Sequence, residues 1–231
     1  MKSPDRWQAD LLREIVTRRE PVILNASRQI GKTETVSLAA YISACDGLTV
    51  LVISPSDRQS VLFHRRILKH HRKLRLCEAT EDPNKHTLTL QGGGSIEALP
   101  NSPDKIRGFD AVDLLIIDEA ARVSDILYEA CLPFLIVNRG RLALLSTPFG
   151  QRGFFWDEWR GAGRKGWRRH KHPWHHCPRF DTREIDKYRH QGEAYVAQEF
   201  ECVFNGVSCG YFDAERFESL ITEETAEEFA W

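Results

Sequence analysis

Asn25-Ala26-Ser27-Arg28-Gln29-Ile30-Gly31-Lys32-Thr33 comes directly after the apolar run Val22-Ile23-Leu24, and its reading decides the fold. A short strand that breaks into a polar turn and then opens a helix gathers backbone N–H groups where phosphate oxygens can sit. The chemistry also needs a residue that lets the backbone approach closely, a Lys that reaches the β- and γ-phosphates, and a hydroxyl for Mg2+. Gly31, Lys32 and Thr33 supply these three parts. Ala26 stands where the motif G-x-x-x-x-G-K-[ST] has its first Gly, so the small side chain is kept and the freedom at positive φ is lost. Gly-Lys-Thr can also open an amphipathic helix by chance, so the reading depends on the residues downstream.

Further apolar runs bounded by turn residues predict strands at 49–54, 114–117 and 141–146, besides 22–25. Their nearly continuous hydrophobicity is that of strands covered on both faces. Between them, helical spacing predicts helices over 33–45, 56–74 and 124–137, with Ser56 or Asp57 and Ser124 as caps. Alternation flanking Gly92-Gly93-Gly94 predicts a β-hairpin between His86 and Leu99. Glycine-rich, basic 161–166 reads as a mobile loop, 167–170 as a further strand, and 181–199 as one or two helices split near Gly192. The fold class is therefore α/β, a P-loop NTPase with a mostly parallel central sheet flanked by helices and a β-hairpin insertion.

Asp118-Glu119 closes the apolar strand Leu114-Leu115-Ile116-Ile117 and puts two carboxylates at a carboxyl strand end, where open α/β sheets bind ligands. In this Walker B arrangement Asp118 holds Mg2+ and Glu119 orients and polarises the attacking water. A helix N-cap would explain the same pair, but less well with a phosphate loop upstream. One strand–helix unit separates the two strands, and the next strand ends in Ser146-Thr147-Pro148, a layout that matches P-loop ATPases with an inserted strand and an adjacent catalytic Glu. Thr147, with Ser146 second, is the candidate γ-phosphate sensor; a capping hydroxyl before Pro148 is the competing account.

At 231 residues, 42% hydrophobic and 28% charged, the composition is that of a globular protein with a full core. The sequence has no apolar run of membrane-spanning length and no signal-peptide segment, so the expected location is the cytoplasm, without membrane association. Six scattered cysteines without C-x-x-C spacing argue against a disulfide framework. His170, His172, His175 and His176 beside Cys177 are too irregularly spaced for a zinc site, and the expected cation is Mg2+ brought with ATP. The net charge is -1, yet basic residues crowd 58–75 and 160–171, where they could track nucleic-acid phosphates or form solvated faces.

Taken together these motifs resemble the ATPase domain of the phage large terminase subunit, the motor that packs double-stranded DNA into procapsids. The carriers are Arg6-Trp7-Gln8, the loop Ser27 to Thr33, Ile106-Arg107-Gly108, Leu115 to Ala121, Ser146-Thr147-Pro148, Cys177-Pro178-Arg179 and Gln198-Glu199-Phe200. The resemblance implies that Gln8, Ser27, Arg28, Gln29, Ile30, Gly31, Lys32, Thr33, Asp118 and Thr147 bind ATP, with Gln8 reading the adenine edge beside Trp7. It implies Mg2+ on Thr33 and Asp118, and Glu119 as the catalytic base. Arg28 would stabilise transferred charge within one subunit, and Arg107 would do so from the neighbouring subunit of a ring as an arginine finger. The implied partners are double-stranded DNA, further copies of the chain in a ring on a portal, and a small terminase subunit and nuclease domain where these are present. Such a nuclease would come after the ATPase, so 1–205 is expected to be the motor domain, 206–231 a linker or extension, and the chain itself without DNA cleavage. Two rival readings are a helicase-like ATPase and a module that uses ATP only to set its shape.

Overall fold

The computed structural model describes residues 4–106, 108, 109 and 111–206. In chain order the elements are α1 (Arg6–Thr17), β1 (Val22–Ala26), α2 (Lys32–Cys45), β2 (Thr49–Ser54), α3 (Asp57–Leu74), β3 (Thr87–Thr89), β4 (Ser95–Pro100) and α4 (Pro103–Ile106). They continue as β5 (Leu114–Asp118), α5 (Asp125–Cys131), β6 (Arg141–Ser146), α6 (Gly153–Arg160), β7 (Arg168–His172), α7 (Thr182–Asp186) and α8 (Glu193–Glu199). The strands form one seven-stranded sheet in the order β3-β4-β2-β5-β6-β1-β7. Every neighbouring pair is parallel except β3 and β4. The inserted strand is β6 itself, lying between the phosphate-loop strand β1 and the carboxylate strand β5.

Alternation along the strands builds two cores from one sheet. Leu24, Val52, Ile116 and Leu145 face α1, α2 and α3, where they meet Leu11, Val36, Phe63 and Ile67. Ile23, Ile53, Ile117 and Leu144 face the other way, toward Leu127, Tyr128 and Phe155. Two-sided burial explains why the strands read as unbroken apolar runs. The hairpin extends the main sheet, because β4 pairs with β2 as well as with β3. Its turn passes so close to α2 that a Cβ on Gly94 would lie 1.8 Å from the Ala44 carbonyl oxygen.

Two predicted segments come out differently. The helix expected over 124–137 ends at Cys131 and continues as a 3-10 turn, Leu132–Leu135. Pro133 has no N–H to give and its ring crowds the preceding turn, so α-helical bonding stops there. The 161–166 loop is anchored, not free. The carboxylate of Glu158, buried on α6, accepts the Arg164 N–H and the Trp167 Nε1–H at 2.6 Å and the Tyr128 hydroxyl at 2.8 Å. A Cβ on Gly163 would stand 2.6 Å from that carboxylate, so the loop needs Gly there to wrap around it.

His64 on α3 is fully buried with both ring nitrogens unbonded among the described residues. Burial, with the charge of His86 nearby, pushes its pKa down to about 4. The unfolded chain takes a proton near the ordinary histidine value of about 6.5. Its neutral form therefore contributes stability that is present above that value and is lost as pH falls toward 4. His64→Leu is expected to raise the melting temperature at pH 5 more than at pH 8; equal shifts at both pH values would show that the ring does not titrate on unfolding.

Candidate nucleotide site

The loop between β1 and α2 is held by the carboxyl end of β7 and by the last residue of α8. Ser27 N–H donates to the His172 carbonyl and Arg28 N–H to the Glu199 carbonyl, each at 3.0 Å. Gln29 takes a left-handed conformation with φ 59°, and Gly31 one with φ 97° as it caps α2. Ala26, in place of the motif's first Gly, is still part of β1, paired with His172 and outside the positive-φ region. The freedom of Gly is not used at that position, which explains why Ala serves.

Gln8, on α1, packs against the loop. Its side-chain oxygen accepts the Asp5 N–H at 2.9 Å, and its Nε2 donates to the Ile30 carbonyl at 3.2 Å. Arg179 donates to the same carbonyl at 3.2 Å and pairs with Asp5 at 3.1 Å. A Cβ on Gly31 would fall 2.5 Å from Gln8 Nε2, so Gln8 and Gly31 fit only as a pair. Trp7 stacks on His172 with ring centroids 4.6 Å apart, as an anchor of α1 against β7. Among the described residues no group of three or more His, Cys, Asp or Glu is arranged to hold a metal ion.

Lys32 is nearly buried at the start of α2, and its Nζ lies 3.0 Å from Glu119 Oε1. Asp118, also nearly buried, ends β5 and accepts the Glu119 N–H at 3.1 Å. Burial pushes the Asp118 pKa up and the neighbouring Glu119 charge adds to it, while Lys32 opposes both. Glu119 sits at φ 50°, a left-handed conformation that costs a non-Gly residue free energy and concentrates at functional sites. Its carboxylate also receives the Ser146 hydroxyl, 3.5 Å away. Thr147 is 1% exposed, and its hydroxyl has no partner among the described residues. Arg107 lies outside the described residues.

Arg28, Gln29, Lys32, Thr33, Glu119 and Arg122 line a cleft of about 570 Å³. On the other side of Arg28 and Gln29 a second cleft of about 390 Å³ is lined by Arg179, Phe180 and Tyr188. The first has the charge of a phosphate site. The second has the planar and apolar surface that a base and sugar require. The donor set at the first cleft is of the oxygen type that suits a hydrated divalent cation: Thr33 lines it, and Asp118, a buried carboxylate with no ion-pair partner among the described residues, precedes the lining residue Glu119.

Sequence reasoning quoted Glu199 only as a carrier of the resemblance and gave it no role, and it missed Arg122. Glu199 is 3% exposed, and its carboxylate is in ion-pair contact with the Arg28 guanidinium and lies 3.7 Å from Arg122 Nη2. Apart from the stretch Gln198-Glu199-Phe200, the local signal is an acidic residue on the apolar face of a short helix, and nothing local names its partners, which lie far away in the chain.

A family model described as terminase large subunit, T4likevirus-type, N-terminal, matches residues 23–219. The fold is similar to that of the large terminase ATPase domain of Thermus phage P74-26, with a TM-score of 0.71 at 20% identity over 88% of this chain and 94% of that one. It is also similar to the large terminase of another thermophilic bacteriophage, with a TM-score of 0.75 at 14% identity over 93% of this chain. That match covers 57% of the second phage's protein, which has also been solved in complex with ADP and with ATP-gamma-S.

Proposed function

From the premise that this chain belongs to the family of T4likevirus-type large terminase N-terminal domains, we propose that it hydrolyses ATP to drive double-stranded DNA translocation during viral genome packaging. The observation that carries the reading is the 3.0 Å contact between Lys32 on the phosphate loop and Glu119, which line one cleft, with buried Asp118 next to Glu119 in the chain. Water attacks the γ-phosphorus, the bond from that phosphorus to the bridging oxygen breaks, and ADP leaves with that electron pair. Glu119 accepts the proton of the attacking water, and Ser146 fixes the carboxylate that does so. Mg2+ held by Asp118 and Thr33 would neutralise charge on the phosphate oxygens.

Lys32 and Glu119 neutralise each other across their 3.0 Å contact. Triphosphate draws the ammonium toward its own oxygens and releases the carboxylate as a base, so the base is armed by substrate. Thr147, just past the inserted strand and with its hydroxyl unpaired among the described residues, senses the γ-phosphate. The base and ribose lie against Gln8, Arg179 and Phe180. Arg107 completes the site from the neighbouring copy in a ring on a portal, in the cytoplasm of the infected bacterium.

ATP turnover per molecule, measured over a wide range of protein concentrations with and without double-stranded DNA, tests the reading. Specific activity is expected to climb with concentration and again with DNA. Tight ATP binding with no turnover under any of these conditions would reject it in favour of a nucleotide-set switch.

A further inference from the structure

Ser54 ends β2 at the carboxyl edge of the sheet, fully buried, and its hydroxyl has no hydrogen-bond partner among the described residues. The other buried serines apart from Ser43 find partners, among them Ser27 to the Arg28 carbonyl at 3.2 Å, Ser37 to the Glu34 carbonyl at 3.0 Å and Ser60 to the Asp57 carbonyl at 2.8 Å. Ser37 and Ser60 reach back along their own helices, which a strand residue cannot do. A buried hydroxyl on a strand must find its partner across the sheet or in a ligand.

The sheet register says where Ser54 stands. β2 and β5 run parallel with Ile53 opposite Ile117, so the next row places Ser54 beside Asp118. Adjacent strands lie about 4.8 Å apart, and paired residues of parallel strands share a face. Val50 and Val52 on β2, and Leu114 and Ile116 on β5, belong to the core on the α2 side; Ser54 and Asp118 continue those two rows. Thr33 opens α2 over the same face, and Gln59, from the first turn of α3 after Ser54, lines the phosphate cleft.

We propose that Ser54 is a positioning residue of the metal site: its hydroxyl hydrogen-bonds a water on the hydrated Mg2+ and the Asp118 carboxylate, fixing how Asp118 presents its oxygens. A hydroxyl is both donor and acceptor, which lets it join a water to a carboxylate. Partners of this kind typically change metal affinity about 10- to 100-fold. The inference rests on the Mg2+-nucleotide reading given above.

The test is the Mg2+ concentration needed for half-maximal binding of a fluorescent ADP analogue, with metal-free ADP affinity and melting temperature as companions. Ser54→Ala is expected to raise that concentration about tenfold, with metal-free affinity and melting temperature unchanged. Ser43→Ala is the control: Ser43 is the same kind of buried, unpartnered hydroxyl, but it lies 11 residues beyond Lys32 on α2, about 16 Å along the helix. It should leave the metal midpoint where it was. A Ser54→Ala midpoint equal to the parent's, in a protein whose parent shows metal-dependent binding, would overturn the role of Ser54 alone. A parent that binds the ADP analogue without regard to Mg2+ would overturn the metal reading and the role of Ser54 together.

Discussion

Glu119→Gln is expected to lower kcat by about a hundred- to ten-thousand-fold while ATP binds at least as tightly as in the parent. The exchange keeps the shape of the side chain, its contact with Ser146, and the strained φ of 50° that aims it into the cleft. What it removes is the ability to take a proton and the charge that holds Lys32. Lys32 Nζ lies 3.0 Å from Glu119 Oε1, so ATP must compete with Glu119 for that ammonium. Removing the competitor should tighten ATP binding modestly as turnover collapses. Equilibrium binding and single-turnover hydrolysis on the same preparation separate the two effects. A variant that turned over near the parental rate would place the base elsewhere. Glu34 is then the next candidate, a carboxylate lining the same cleft 3.8 Å from Arg66.

What the sequence disclosed and what it hid divide by range. Strands 49–54 and 141–146 were readable to the residue because burial on both faces leaves an unbroken apolar run that stops at the polar residues of the following turn. Asp118-Glu119 was legible because carboxylates after an apolar strand break that signature abruptly. The early end of α5 was written in Pro133, which a periodicity argument passed over. Contacts across the sheet left no such trace. The turn at 161–166 looked mobile because its restraint is the carboxylate of Glu158, whose three donors come from α5, the turn itself and Trp167. Glu199 reads locally like any acidic helix residue, although it is 3% exposed and meets arginines from two distant loops.

Those arginines carry the second large effect. Arg28→Ala is expected to reduce kcat by roughly a thousandfold, the scale on which an arginine stabilises phosphoryl transfer, with a much smaller loss of ATP affinity. The Arg28 guanidinium is paired with Glu199, while its side chain remains half exposed at the border of both clefts. A γ-phosphate would compete with Glu199 for it, and Glu199 would keep only Arg122, 3.7 Å away. A buried carboxylate that loses its partner is costly to keep in place, so the exchange should loosen α8. That helix is bound to the nucleotide site through the Arg28 N–H to Glu199 carbonyl bond, and just beyond it the Asn25 side chain on β1 donates to the Cys202 carbonyl at 3.0 Å. Amide hydrogen exchange in α8 should therefore be faster with a bound triphosphate analogue than with ADP, and Arg28→Ala should remove the difference between the two. If α8 exchanged equally in both nucleotide states while Arg28→Ala still abolished turnover, Arg28 would act on the phosphoryl group alone, and the path from hydrolysis to movement would have to run through Thr147 at the end of β6.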